Sequence, residues 1–74
     1  MSRAQKYQQY VTPENIESLA QQIANVSQEP EIPTRHEAMG VVVRSTVPDA
    51  WMVWEDSLGE VIEQAALIMQ RRRG

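Results

Sequence analysis

The chain has 74 residues, enough for one small domain and too few for two. Its ten acidic and seven basic side chains give a net charge of −3, which argues against a protein dedicated to coating nucleic acid. The sequence contains no cysteine, which excludes disulfides, a thiolate nucleophile and a zinc finger.

Residues 1–11 are polar and lack the apolar stretch of a secretory signal. We expect them to form a flexible N-terminal arm ahead of a single domain that covers residues 12–74. The longest apolar runs, at 41–43 and 65–69, are far shorter than the ~20 residues of a membrane span. These features predict a cytoplasmic protein.

A first helix is predicted over residues 13–26. Thr12 is a suitable N-cap, and Pro13 suits the first helical position, where a backbone N–H has no helical partner. Beyond this start, apolar side chains recur at the spacing of one helical face. They are Ile16, Leu19, Ala20, Ile23 and Val26.

The middle of the chain is predicted to form a linker and a β-hairpin. Residues 28–37 contain two prolines, which disfavour helical geometry in the residues before them. Three consecutive β-branched valines favour a strand over 38–46, and residues 51–54 favour a second strand. Pro48 fits a type I turn over 47–50, which would join the two strands in an antiparallel pair.

A second helix is predicted from Ser57 onward. Ser57 and Glu60 have the spacing of a capping box, and apolar side chains follow on one helical face. Arg71–Arg73 complement the negative C-terminal end of the helix dipole. The order α-β-β-α predicts an α+β domain in which two amphipathic helices pack on a β-hairpin.

Apolar side chains lie on both faces of the predicted hairpin. Alternation along a strand puts Trp51 on one face and Trp54 on the other. Either the helices cover both faces, or the linker around Ile32 forms a third strand that completes the core, or one face with its tryptophan is a contact surface for another chain. Residues 65–69 pose a similar choice, because five consecutive apolar residues fit either a well-buried helix or a helix–helix dimer seam.

Nothing in the sequence has the spacing of a catalytic or metal site. His36 is the sole histidine, and no nucleophile is placed in sequence to pair with it. The acidic residues do not match a calcium loop, and the three glycines do not form a phosphate-binding loop. We therefore expect no enzyme activity, no cofactor and no metal.

The candidate partner-binding residues lie at the two chain ends and in the predicted hairpin. The arm carries two cations and two tyrosines and is expected to order against a partner, and the C-terminal arginines are suited to weak phosphate contacts. The predicted set is Arg3, Lys6, Tyr7, Tyr10, Trp51, Trp54, Arg71, Arg72 and Arg73.

In size, acidity, absence of cysteine and one-domain α+β make-up, the whole chain resembles small phage-encoded proteins that bind bacterial RNA polymerase and regulate transcription. The resemblance is one of overall build, so it assigns no role to any residue. It implies a non-catalytic regulator that binds a subunit of the polymerase, as a monomer or a homodimer. Two alternatives stay open: a nucleic-acid-binding accessory protein and a homodimeric structural component.

Overall fold

The computed structural model describes residues 3–47 and 49–73, and for residues 3 and 4 it describes the backbone alone. Within these ranges every regular element is a helix, so the predicted α+β class and its β-hairpin are wrong and the domain is all-α. The elements are α1 (Arg3–Tyr7), a 3₁₀ turn (Gln8–Tyr10), α2 (Pro13–Val26), α3 (Arg35–Ser45), α4 (Trp51–Trp54) and α5 (Leu58–Arg73).

The predicted first helix is confirmed as α2, with the same two ends. Its N-cap is Thr12, whose Oγ1 accepts a 3.2 Å hydrogen bond from the Asn15 backbone N–H, and Pro13 is the first helical residue. The apolar face of α2 is buried as far as Ile23 and Ala24. The sequence pattern is therefore sufficient to predict this helix, because the N-cap, the proline and the apolar face all indicate the same element.

Helix α3 replaces the strand predicted over 38–46, and it also takes in the last three residues of the predicted linker. It begins with a capping box in which the Glu37 N–H donates to Thr34 Oγ1 at 3.1 Å and the Thr34 N–H donates to Glu37 Oε1 at 3.0 Å. These two bonds satisfy backbone donors at the helix start. They favour a helix despite the β-branched valines that follow, whose strand preference depends on context.

Residues 51–54 form the single helical turn α4 and not the predicted second strand. A turn does form over 47–50, because the Ala50 N–H donates to the Val47 carbonyl oxygen at 2.9 Å. Asp49 has a φ of 69°, which fits the third position of a type II turn better than that of the predicted type I turn. Pro48, on which the prediction rested, lies outside the described residues.

Helix α5 begins at Leu58, directly after Ser57, and continues to Arg73. The backbone N–H of Val61 donates to the Ser57 carbonyl oxygen at 3.1 Å, which closes the first turn. The inner face of α5 is buried from Leu58 to Ala66, and Leu67 on the outer side is 45% exposed. The predicted second helix is therefore confirmed.

One core joins the longer helices. Helices α2 and α3 are antiparallel, because the start of α3 bonds to the end of α2 and the Ser45 hydroxyl donates to Gln22 Oε1 at 2.7 Å. Helix α5 packs against both, and α4 adds its two inner residues. The buried core consists of Ile16, Leu19, Ala20, Ile23, Ala38, Val41, Val42, Val53, Trp54, Leu58, Val61 and Ala65.

The described part of the predicted N-terminal arm is helical and lies against the domain. Tyr7 and Val11 are half-buried and pack on the core. The Asn15 side-chain amide of α2 donates to the Tyr10 carbonyl oxygen at 2.7 Å. In the structure, residues 5–11 are thus part of the folded body.

Candidate functional site

The structure separates the two tryptophans that were predicted to bind a partner. Trp54 is the largest fully buried side chain among the described residues and is 1% exposed, so it belongs to the core. Trp51 is 39% exposed at the start of α4. Of the two indoles, that of Trp51 is therefore the accessible one.

Three of the predicted N-terminal residues lie together. The Lys6 Nζ is 5.4 Å from the centroid of the Tyr7 ring, which is within the range of a cation–π contact. The Tyr7 and Tyr10 ring centroids are 5.9 Å apart, with the rings tilted by 33°. These aromatic rings already have intramolecular contacts, and the side chain of Arg3 lies outside the described part of the structure.

The three C-terminal arginines are exposed on the last turn of α5, as the sequence predicted for a basic tail. The Arg72 Nη2 donates a 3.4 Å hydrogen bond to Gln21 Oε1, which links the tail to α2. Arg71 borders a shallow cleft between α2 and α5 that also includes the exposed Leu67. The tail therefore combines positive charge with a contact to the body of the domain.

An exposed apolar surface lies on the outer side of α3, where the sequence analysis placed no site residue. Two adjoining clefts of about 210 and 290 Å³ share three residues of this helix. Val43 is 56% exposed and Val26, at the end of α2, is 48% exposed. We call this surface the α3 face, and it consists of Val26, His36, Glu37, Met39, Gly40, Val43 and Arg44.

The α3 face is exposed because residues 38–43 are all apolar and a helix packed on one side can bury only part of such a run. Ala38, Val41 and Val42 point into the core, at spacings of three and one. Val43 faces away from the core, while Met39, one turn before it, is half-buried and also packs against the core. The apolar run over residues 38–43 predicts this exposed face once the segment is recognised as a helix.

The α3 face carries one cation and one carboxylate. The guanidinium of Arg44 lies beside Gly40, since a Cβ at that glycine would meet Arg44 Nη1 at 3.4 Å. The carboxylate of Glu37 is occupied by hydrogen bonds from the Gln28 and Thr34 backbone N–H groups, which lower its pKa and keep it ionised. A partner would therefore meet an apolar surface on which Arg44 is the cation and Glu37 is already hydrogen-bonded within the domain.

Other kinds of site receive no support. Within the described ranges, no three histidine, aspartate or glutamate side chains are grouped as a metal site requires. No helix in that part of the chain combines the length and apolar character needed to cross a bilayer. Comparisons of the chain with protein-family models, with curated proteins and with solved structures found no match.

Proposed function

We propose that this chain is a non-catalytic protein-binding module and that the α3 face is its binding surface. The observation that carries the proposal is the exposure of Val43 beside the half-buried Met39 on a helix that starts from a capping box. Contiguous apolar surface on a small domain is a common mark of an interaction site. Burial of this surface against a partner would add hydrophobic stabilisation to that of the small core.

The partner we propose is an amphipathic helix of another protein, with an apolar stripe and at least one carboxylate. The two adjoining clefts run along one side of α3, and Gly40 in the middle lies beside the Arg44 guanidinium. A carboxylate on the partner would pair with the Arg44 guanidinium, which is suited to bidentate recognition. The apolar stripe would cover Val43 and Met39.

We further propose that the partner belongs to bacterial RNA polymerase and that binding regulates transcription. The support for this step is the resemblance in size, acidity and absence of cysteine to small phage-encoded regulators of that enzyme. A cytoplasmic site of action is part of the same proposal, because the polymerase works there. In this scheme the exposed indole of Trp51 is a secondary contact.

The test compares the wild-type chain with Val43→Glu and with Leu67→Glu as a matched control. Both substitutions place one carboxylate at an exposed apolar position of a helix, but Leu67 lies on α5, away from the α3 face. With purified bacterial RNA polymerase, we expect wild type and Leu67→Glu to bind alike. Val43→Glu is expected to bind at least ~10-fold more weakly, with an unchanged circular dichroism spectrum.

Each part of the proposal fails on a different result. No binding of the wild-type chain to the polymerase contradicts the proposed partner. Capture of the same proteins from a bacterial lysate by all three chains contradicts the α3 face as the surface. A solution mass of about twice 8.5 kDa that Val43→Glu halves would assign the face to self-association. Steeply salt-dependent binding to random duplex DNA would favour the nucleic-acid alternative.

A further inference from the structure

The shallow cleft between α2 and α5 carries two opposite charges that are not paired with each other. Within the described part of the chain, neither the Glu17 carboxylate nor the Arg71 guanidinium has an ion-pair or hydrogen-bond partner. Both groups are exposed and therefore available to another molecule. We call this surface the α2–α5 face, and its cleft of about 260 Å³ is lined by Glu17, Gln21, Gln64, Leu67, Ile68 and Arg71.

The two signs of charge lie on different helices of the α2–α5 face. Glu14 and Glu17, three residues apart on α2, are both exposed, and α2 contains no basic residue. The last turn of α5 carries the arginines 71–73, of which Arg72 is hydrogen-bonded to Gln21. The face is therefore acidic on its α2 side and basic on its α5 side.

Apolar and amide groups lie beside these charges. Leu67 is 45% exposed, and Ile68 is half-buried and also packs against the core. Gln21 and Gln64 border the same cleft, and an amide both donates and accepts hydrogen bonds. Each kind of group on this face thus has its complement on the same face.

A surface of this kind is complementary to a second copy of itself. In a two-fold symmetric dimer both subunits use the same patch, so every contact between two different residues occurs twice. An axis through the cleft, midway between Glu17 and Arg71, brings each of these groups to the opposite charge of the other protomer. A small domain without disulfides also gains stability from oligomerisation.

We propose that the chain forms a two-fold symmetric homodimer through the α2–α5 face. The Glu17 carboxylate of each protomer pairs with the Arg71 guanidinium of the other, and the dimer covers Leu67. Exclusion of water from the contact makes the two ion pairs stronger than pairs in bulk solvent. Because the face is small, we expect a weak dimer with a Kd on the order of 10–100 μM.

This inference is independent of the protein-binding proposal, because the α2–α5 face and the α3 face have no residue in common. Both α3 faces stay free in the dimer. Binding to the polymerase is measured below the Kd of the dimer, where the chain is a monomer. Leu67→Glu therefore keeps its use as a control in that experiment.

Charge reversal tests the dimer. Glu17→Arg and Arg71→Glu each put like charges at both symmetric contacts, so either variant alone is expected to dimerise at least ~10-fold more weakly than wild type. An equimolar mixture of the two variants has opposite charges at both contacts. It is expected to dimerise at least as well as wild type. Sedimentation equilibrium measures each Kd from masses between 8.5 kDa and twice that value.

Glu31→Arg is the matched control, because it makes the same change of net charge at an exposed position in the connection between α2 and α3. We expect it to dimerise like wild type, and all variants to keep the wild-type circular dichroism spectrum. Leu67→Glu is expected to dimerise more weakly, since it places a charge in the apolar part of the contact.

Four results would overturn the inference. Wild type may not exceed a mass of 8.5 kDa at concentrations up to about 1 mM. Glu17→Arg and Glu31→Arg would otherwise have to weaken the dimer equally, or the mixture of the two charge-reversed chains would have to remain monomeric. A dimer that Val43→Glu dissociates and Glu17→Arg does not would place the contact on the α3 face.

Discussion

The Glu37 carboxylate accepts a 2.7 Å hydrogen bond from the backbone N–H of Gln28, which ties the first turn of α3 to the segment that leaves α2. The other carboxylate oxygen accepts from the Ser27 hydroxyl at 3.2 Å and from the Thr34 backbone N–H at 3.0 Å. One side chain thus caps a helix and fastens the connection between two helices. Three residues, Ser27, Gln28 and Thr34, are hydrogen-bonded to this one side chain.

Glu37→Gln is expected to lower the free energy of unfolding at neutral pH. A neutral amide has one acceptor oxygen in place of two and forms weaker hydrogen bonds than a carboxylate. Glu63→Gln, at an exposed position in α5, removes the same charge and serves as the control. Urea unfolding should show a clear shift of the midpoint for the first variant and almost none for the second. Equal shifts would mean that net charge, and not the Glu37 hydrogen bonds, sets the effect.

The contribution of Glu37 should also depend on pH. Its pKa in the folded chain lies below the ordinary value of 4.5, first because of the Gln28 N–H and then because of the Thr34 N–H. Stability from a lowered carboxyl pKa is complete above the unfolded value and is lost as the pH falls through the folded one. We expect the difference between wild type and Glu37→Gln to be complete above the ordinary value of 4.5 and to shrink as the pH falls below it. A difference that grows on acidification would contradict this assignment.

Adjacent valines of α3 should respond differently to truncation. Val42 is fully buried and Val43 is exposed, so Val42→Ala is expected to cost about 2 kcal/mol and Val43→Ala less than about 0.5 kcal/mol. Alanine also has the higher helix propensity, which offsets part of any loss at position 43. Denaturant unfolding of the two variants measures both values. Two equal losses would show that Val43 is also buried, as it would be within a larger assembly.

These valines show where sequence reasoning succeeded and where it failed. Helix α2 was predictable because Thr12 and Pro13 mark its start and its apolar face repeats without interruption. Helix α3 was misread because three β-branched residues in a row resemble a strand, and because its apolar side chains cover more than one face. The pair Thr34 and Glu37 has the spacing of a capping box, so the sequence did contain the signal for a helix.

The α3 face could not be located from the sequence for the same reason. A surplus of apolar side chains was predictable from the sequence. Its position depends on whether residues 38–46 form a strand, in which side chains alternate between two faces, or a helix with 3.6 residues per turn. The strand interpretation put that surplus at Trp51 or Trp54. The structure buries Trp54 and leaves Val43 of α3 exposed together with Trp51. The burial of Trp54 depends on tertiary contacts between α4 and the rest of the core, and local sequence patterns do not predict such contacts.

The two tryptophans should differ sharply in their contribution to stability. Trp54→Ala is expected to cost about 3–5 kcal/mol, which is comparable with the whole stability of a small domain. Trp54→Phe should cost less, because it keeps much of the ring and removes the unpaired N–H. Trp51→Ala is expected to cost less than about 1 kcal/mol, since the residue is well exposed. Thermal unfolding followed by circular dichroism ranks the three, and a dominant effect of Trp51 would contradict the packing described.

Asp49 has a backbone conformation that favours glycine. Its φ of 69° lies in the left-handed region, so Asp49→Gly is expected to raise stability by about 0.5 kcal/mol. Asp56→Gly removes the same charge at a position without a positive φ, and it is expected to lower stability by a similar amount. Parallel thermal melts compare the two. The same sign of change in both variants would rule out backbone conformation as the cause.

The bond between Ser27 and Glu37 also bears on how fast the chain folds. It closes a loop of about ten residues, and loops of that length close on a timescale of about 10–100 ns. Helix α2 and the start of α3 can therefore meet through contacts that are near one another along the chain. Proteins built from such local contacts reach the native state in microseconds to milliseconds, and the α2–α3 pair is the segment from which rapid refolding would start.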